Sequence, residues 1–320
     1  AIIAPLSAHN DRSGSTRCNA DSERCCCSRS RSRVFFATPL VADTEVDAVI
    51  LCTPTQMHAA QTKACLEAGK HVLVEKPIAV NSAEARELVE LAARQGCLLQ
   101  VGHSERFNPI MQRMRGSIER PAFIEGHRLS AFGERGTDVD VVLDLMIHDL
   151  DLVLSFHPGP VEEVRAAGVP VLSSNIDIAN ARIAFASGCV ANLTASRVST
   201  NKMRRLRFFQ RDRYVSIDFQ SRQAMVSRRL QGSGPRPTID VETFQAGDEE
   251  PLRLELESFI HAVATGSRPV VSGEDGEAAL KPAEREAVSS VGLMLFHDLQ
   301  KGQRALVEQA FAKDASLDAL

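Results

Sequence analysis

The stretch Val72-Leu73-Val74-Glu75-Lys76-Pro77 constrains this chain more than any other. Its apolar run, between Gly69 and Pro77, has the length of a buried strand, and Pro77 has no N–H with which to extend a ladder. Glu75 and Lys76 are therefore expected at a strand's C-terminal end. In an open parallel sheet that edge faces the ligand crevice, so a Lys there can point at a bound small molecule. An isolated Glu-Lys pair is more often a solvated salt bridge, and the neighbouring segments must decide between the two.

Those segments repeat one grammar. Asp47 to Cys52 reads as a buried strand ending at Thr53-Pro54, and Thr55 to Ala68 as a helix stopped by Gly69. Asn81 with Glu84 three residues later marks a helix start, the helical spacing continues from Ala85 to Gln95, and Gly96 ends it. Cys97 to Val101 is the next strand, closing at Gly102-His103. Strands and helices alternating through short connections specify a parallel α/β sheet. Three successive strand ends then carry polar groups: Thr53, Glu75 with Lys76, and His103.

The second half reads differently. Phe107-Asn108-Pro109 opens a short helix and Phe123 to Leu129 is a strand. Val141 to Phe156 reads as an apolar helix with Asp144 and His148 four residues apart on one face. Beyond Pro160, short alternating runs begin at Val161, Ala181, Val190, Leu206, Tyr214 and Gln223 without helices between them, which indicates an antiparallel sheet. Helices from Leu252 to Thr265 and from Ala279 to Leu299 are expected to follow. The expected fold class is α/β: a Rossmann-type parallel sheet in residues 1–105, then an α+β domain with an open, mostly antiparallel sheet in residues 106–320.

A chain of 320 residues, 44% hydrophobic and 24% charged, can bury two cores. Its net charge of -4 supplies no general attraction to nucleic acid or anionic membrane, and no apolar run approaches the roughly 20 residues of a membrane-spanning helix. Neither partner is expected. Cys52, Cys65, Cys97 and Cys189 are scattered singly through apolar segments, as reduced thiols of a cytoplasmic protein would be. Cys25, Cys26 and Cys27 are adjacent and cannot easily wrap one tetrahedral ion, so no metal is expected.

Four motifs carry a resemblance. Cys52-Thr53-Pro54-Thr55-Gln56-Met57-His58, Glu75-Lys76-Pro77, Gly102-His103-Ser104-Glu105-Arg106-Phe107-Asn108-Pro109 and Asp144-Leu145-Met146-Ile147-His148-Asp149 resemble, in order and spacing, the Gfo/Idh/MocA family of NAD(P)-dependent sugar and polyol dehydrogenases. Within it, the third motif and the segment Asn192 to Phe209 look most like UDP-N-acetylglucosamine 3-dehydrogenases. The resemblance implies a Rossmann domain, a second domain whose open sheet covers the crevice, and NAD or NADP as cofactor. It also implies a sugar or nucleotide-sugar substrate, with inositol or another free polyol as the alternative, and a homo-oligomer formed through the C-terminal sheet.

Position by position, the resemblance puts Lys76 near the reacting hydroxyl and the nicotinamide. His148 becomes the proton acceptor, with Asp144 orienting or charging it. Thr53, Pro54, His58 and Glu75 would touch the cofactor together with Lys76, while His103, Arg106 and Asn108 join the substrate site. Asp149 is a secondary candidate. The chemistry agrees with these roles, because oxidising a secondary alcohol sends hydride to nicotinamide and a proton to a base, and a histidine of pKa about 6.5 suits that task. A nearby ammonium stabilises the developing alkoxide.

One departure stands out. A Rossmann domain opens with a strand running into Gly-x-Gly-x-x-Gly, whose bare backbone lets pyrophosphate approach a helix N-terminus. Residues 1–33 contain no such motif, and Ser13-Gly14-Ser15 is no substitute. This suggests a damaged, truncated or frame-shifted start, a bare sheet edge and weak cofactor binding. A cofactor-deficient binding or scaffold protein is therefore the second reading. Lys202, Arg204, Arg205 and Arg207 crowd a strand on which Arg205 and Arg207 lie opposite Leu206 and Phe208. That face either grips a pyrophosphate in the crevice or is simply solvated.

Overall fold

The computed structural model describes residues 2–4, 41–133, 139–230 and 238–284. Short apolar runs separated by capped helices build its first sheet from β1 (Ile2–Ala4), β2 (Ala48–Leu51), β3 (His71–Glu75) and β4 (Leu99–Gly102), in that spatial order. The last three strands are parallel, with Val49 opposite Val72 and Val72 opposite Leu99. Helices α1 (Thr55–Glu67) and α2 (Ser82–Gln95) connect them. Gly69 and Gly96 leave those helices at φ values of 73° and 65°, a region that bulkier residues avoid. At the start of α2 the Asn81 carboxamide accepts from the Glu84 N–H at 2.8 Å and donates to the Glu84 carboxylate at 3.0 Å, which caps the helix where the sequence predicts its start.

The bare edge expected beside β2 needs correction. β1 runs antiparallel along it, pairing Ile2 with Ile50 and Ala4 with Ala48. An edge strand with its hydrogen-bonding groups paired no longer invites association. The remainder of residues 1–33 lies outside the described residues.

The second sheet has eight strands: β5 (Phe123–Leu129), β6 (Val161–Val169), β7 (Ile178–Phe185), β8 (Val190–Ser196), β9 (Met203–Phe209), β10 (Arg213–Asp218), β11 (Gln223–Leu230) and β12 (Thr238–Gln245). Their order is β12-β11-β10-β9-β5-β8-β7-β6, and every pair is antiparallel except β5 with β8. β12 was not predicted from the sequence. Its apolar residues Ile239 and Val241 are exposed, so no buried face imposes a pattern on it.

The helix expected over Val141 to Phe156 is also corrected. Residues Val142–Met146 form a π-helical turn, and the α-helix proper, α4, covers only Ile147–Leu154. α3 (Pro109–Met114), the π-turn and α4 pack on one face of the large sheet, where Met114, Met146 and Leu150 meet Ile124, Leu193 and Phe208. After β12 the chain returns to the first sheet through α5 (Pro251–Thr265) and α6 (residues 273–284). The Val101 N–H donates to the Val271 carbonyl at 3.1 Å, and Val271, Ala279 and Leu280 share a core with Val72 and Val74. The parallel sheet is thus completed by residues far beyond 105. The rest of the expected helix, to Leu299, lies outside the described residues. No helix among the described residues is long and apolar enough to cross a membrane.

Candidate active site

Val72, Leu73 and Val74 are fully buried, and the strand they form delivers Glu75 and Lys76 half-buried at its C-terminal end. The Lys76 ammonium donates to the Asp144 backbone carbonyl at 2.6 Å and to the Asp144 carboxylate at 3.3 Å. That contact ties the end of β3 to the π-turn. Asp144, in the π-turn, and His148, at the start of α4, stay four residues apart along one side of the segment, and the Asp144 carboxylate is taken up by Lys76 rather than by His148.

His148 is the second residue of α4 and is partly exposed, but its Nδ1 is sealed from solvent with no hydrogen-bond partner. Burial first, and then the positive charges of Lys76 and Arg128, hold its pKa well below the ordinary 6.5. The ring is neutral at neutral pH, the state a proton acceptor needs. His103 stands beside it with ring centroids 6.3 Å apart at 87°. It is 1% exposed, and neither of its ring nitrogens has a partner.

The Glu75 carboxyl is pushed up by burial, and the backbone N–H and then the charge of Lys76 draw it part of the way back. Gly102 makes its position possible, since a Cβ there would lie 3.0 Å from Glu75 Oε2. Thr53 donates its hydroxyl to Gln61 at 2.7 Å. His58, expected at the cofactor, is buried with Nδ1 and Nε2 each 2.7 Å from a carbonyl oxygen, of Pro77 and of Thr53. Both nitrogens are engaged, so His58 braces the two loops rather than offering a ring nitrogen to a ligand. Pro54 is exposed at the same edge.

Arg106 and Asn108 likewise turn out to brace the site. The Arg106 guanidinium, 5% exposed, grips Asp151 through bonds of 2.6 and 2.7 Å. The Asn108 carboxamide caps α3 by accepting from the Ile110 N–H at 3.2 Å, and it donates to Glu105. The sequence reading missed Arg128, which donates to Asp149 at 2.7 Å and to Glu105 at 3.0 Å. A signal for it existed: alternation along β5 puts Ile124, Gly126 and Arg128 on the buried face. Asp149 is consumed in this pair. Glu255 was missed too. It is 1% exposed, with both carboxylate oxygens unpartnered, and burial raises its pKa to about 8.

On the basic strand the structure favours the second of the two alternatives, a face turned to solvent. Arg205 pairs with Asp218 at 2.8 Å and Arg207 with Glu125 at 2.7 Å, on the sheet face away from the crevice. Arg204 points to the other side and comes within 3.8 Å of Glu105. With Lys202, Arg222, Ser104 and Asn108 it lines a cavity of about 840 Å³. Among the described residues no group of three His, Cys, Asp or Glu side chains could hold a metal ion.

Residues 6–103 match a family described as an oxidoreductase family with an NAD-binding Rossmann fold, and residues 111–213 match the GFO/IDH/MocA C-terminal domain. UDP-N-acetylglucosamine 3-dehydrogenase of Acidithiobacillus ferrooxidans is 37% identical over 241 residues, 75% of this chain and 77% of that protein. Its solved structure superposes with a TM-score of 0.73 at 36% identity, covering 77% of this chain and 79% of that one. Myo-inositol 2-dehydrogenase of Thermotoga maritima is 28% identical over 269 residues, 75% of this chain and 76% of that protein. With a parallel sheet whose C-terminal edge carries Glu75 and Lys76, a large antiparallel sheet beside it, and this degree of likeness along both, the chain belongs to the Gfo/Idh/MocA family of oxidoreductases.

Proposed function

We propose that this oxidoreductase oxidises a secondary hydroxyl of a nucleotide sugar, UDP-N-acetylglucosamine at C3 being the leading candidate, with NAD or NADP as hydride acceptor. The observation that carries the reading is the Lys76 ammonium fixed on Asp144 beside a neutral, partly open His148. In this reading Lys76 binds the hydroxyl oxygen and stabilises the developing alkoxide. His148 receives the hydroxyl proton on the ring nitrogen that faces the cleft. Asp144 balances the Lys76 charge and fixes its direction.

The described residues fit the nicotinamide end of a dinucleotide. Gly102 lets Glu75 lie close against the strand edge, and Thr53, Pro54, Glu75 and Lys76 line the carboxyl ends of parallel strands, where such ligands bind. The cofactor supplies the hydride-accepting ring. Arg204, Lys202 and Arg222 line a cavity roomy enough for a nucleotide and offer cations to a phosphorylated substrate, in a lining that also holds Glu105, Asp248 and Glu250. Comparing UDP-N-acetylglucosamine, N-acetylglucosamine and myo-inositol tests this, and equal turnover of the unphosphorylated compounds would overturn it.

The absence of Gly-x-Gly-x-x-Gly from residues 1–33 favours a second reading, a cofactor-deficient binding or scaffold protein on the same fold. Titration with NAD, followed by thermal stability, separates the two, and micromolar binding sets the second aside. Exposed Phe209, Leu230, Ile239 and Val241 on the large sheet support a homo-oligomer formed through it. Free thiols at Cys52, Cys65, Cys97 and Cys189 suit a reducing, cytoplasmic setting.

A further inference from the structure

His103 is the more deeply sealed of the two cleft histidines, and the chemistry above gives it no task. Buried polar atoms are nearly always hydrogen-bonded, and both of its ring nitrogens are not. The neighbouring His148 has its Nδ1 in the same condition. The separation of 6.3 Å between centroids is too long for a direct bond and suits a single bridging water.

Asp151, clasped by Arg106, and Asp275, 3.5 Å from the same guanidinium and with a carboxylate 25% exposed, are the two acids whose charge acts on His103. Two imidazoles and two carboxylates thus belong to one cluster, of which Asp275 reaches solvent. The charges around this line are opposed in sign. Lys76, Arg128 and Arg204 act on His148, Lys76 and Arg106 act on His103, and Asp151 and Asp275 alone favour a proton at His103.

We propose that His103 is a second proton carrier, which takes through a bridging water the proton His148 receives from the substrate hydroxyl and hands it toward Asp151 and Asp275. The proposal rests on the dehydrogenase reading above. The hydroxyl O–H bond breaks, its proton binds the open nitrogen of His148, and the hydride leaves carbon for the oxidised nicotinamide cofactor as the carbonyl forms. His148 then releases its Nδ1 proton to the water, which gives one to His103, so His148 returns to neutral. A positive charge held on His148 among Lys76, Arg128 and Arg204 would be disfavoured, and this route removes it.

The test uses the full chain without cofactor or substrate, so that it reads the relay independently of catalysis. Nitrogen-15 NMR of the histidine rings measures exchange of the His148 ring proton with water in the unmodified protein and in His103→Gln, whose amide is polar but cannot carry a proton. Exchange should slow about tenfold or more in the variant. In the unmodified protein its rate should change with the protonation of His103. Unchanged exchange in the variant, or a rate indifferent to His103, overturns the relay. If circular dichroism shows His103→Gln to be unfolded, the pH course of the unmodified protein decides alone. With UDP-N-acetylglucosamine and NAD, the variant should lose about tenfold in kcat with KM unchanged, and added imidazole should restore it. Absence of turnover by the unmodified chain counts against the dehydrogenase reading and leaves the exchange result standing.

Discussion

The ammonium of Lys76 and the backbone carbonyl of Asp144, 68 residues apart in the chain, are joined at 2.6 Å. One strand end and one irregular helical turn are thereby held in a fixed relation, and the cleft's charge pattern follows from it. Replacing Lys76 by Met should lower kcat/KM by about 10²-fold or more, because the alkoxide loses its cation. Steady-state kinetics with UDP-N-acetylglucosamine and NAD check this, and wild-type values would return Lys76 to a structural salt bridge.

The pH profile carries a signed expectation. His148 must be neutral to accept a proton, and its pKa is held well below 6.5, so turnover should stay level from pH 8 to 6.5 and fall only at lower pH. Lys76 is one of the charges depressing that pKa. In Lys76→Met the residual activity should therefore decline at higher pH than in the unmodified chain. His148→Ala should abolish most turnover while leaving cofactor affinity unchanged. An acid limb that does not move in Lys76→Met would remove Lys76 from the electrostatics of the base.

Glu255 predicts a stability effect of opposite sign. Its folded pKa of about 8 lies above the ordinary 4.5, so the folded state holds a proton that the unfolded chain has released. Stability is complete below pH 4.5 and is lost as pH rises toward 8. Glu255→Gln should flatten this dependence and raise the unfolding free energy at pH 9 by about 1–3 kcal/mol. Urea denaturation at pH 5 and pH 9 measures it, and equal pH dependence in both proteins would refute the assignment.

Two further substitutions separate bracing residues from binding residues. Arg128→Ala removes the guanidinium bonded to both Glu105 and Asp149, leaving their charges buried, and should cost about 3–5 kcal/mol of stability. Arg204→Ala should leave stability nearly unchanged while raising KM for the nucleotide sugar about tenfold. Arg205→Ala, on the opposite face, should do neither. Identical kinetics in the Arg204 and Arg205 variants would place the diphosphate elsewhere.

Gly102→Ala should weaken cofactor binding and also lower stability, since the added methyl meets Glu75 Oε2 at 3.0 Å and the Glu75 Cα at 3.1 Å, so the strand backbone as well as the side chain must give. Calorimetric titration with NAD is the check.

The parallel sheet was legible because each strand ends at a residue with a mechanical reason to end it: Pro54, Pro77 and the turn after Gly102. Glu75 and Lys76 followed from that alone. Arg106 misled because a motif records that residues stay together, while only packing decides which of them face a ligand; Asn108, from the same motif, caps α3 and also lines the cavity beside Arg204. Arg205 and Arg207 on β9 show the same limit, since the sequence left both a crevice face and a solvated face open. Alternation separated Arg204 from Arg205, but nothing local says which side of a strand meets the crevice. Glu255 lies in an amphipathic helix whose partner is a strand end more than 150 residues earlier, so its burial had no local signature.

The π-turn at Val142–Met146 also has a consequence for how this chain tolerates change in length. Each residue of an α-helix advances the side-chain direction by about 100°, so one residue more or fewer rotates everything downstream by that angle. The turn therefore works as a phase setting for α4. Deleting a single residue from it would leave the composition of the segment almost intact and dial His148 round toward the packed interior, along with Asp149 and Asp151. Conversely, many side-chain replacements within the turn would leave that dial untouched. At this point the register of the backbone, more than the chemistry of any one side chain, decides whether a histidine looks into the cleft.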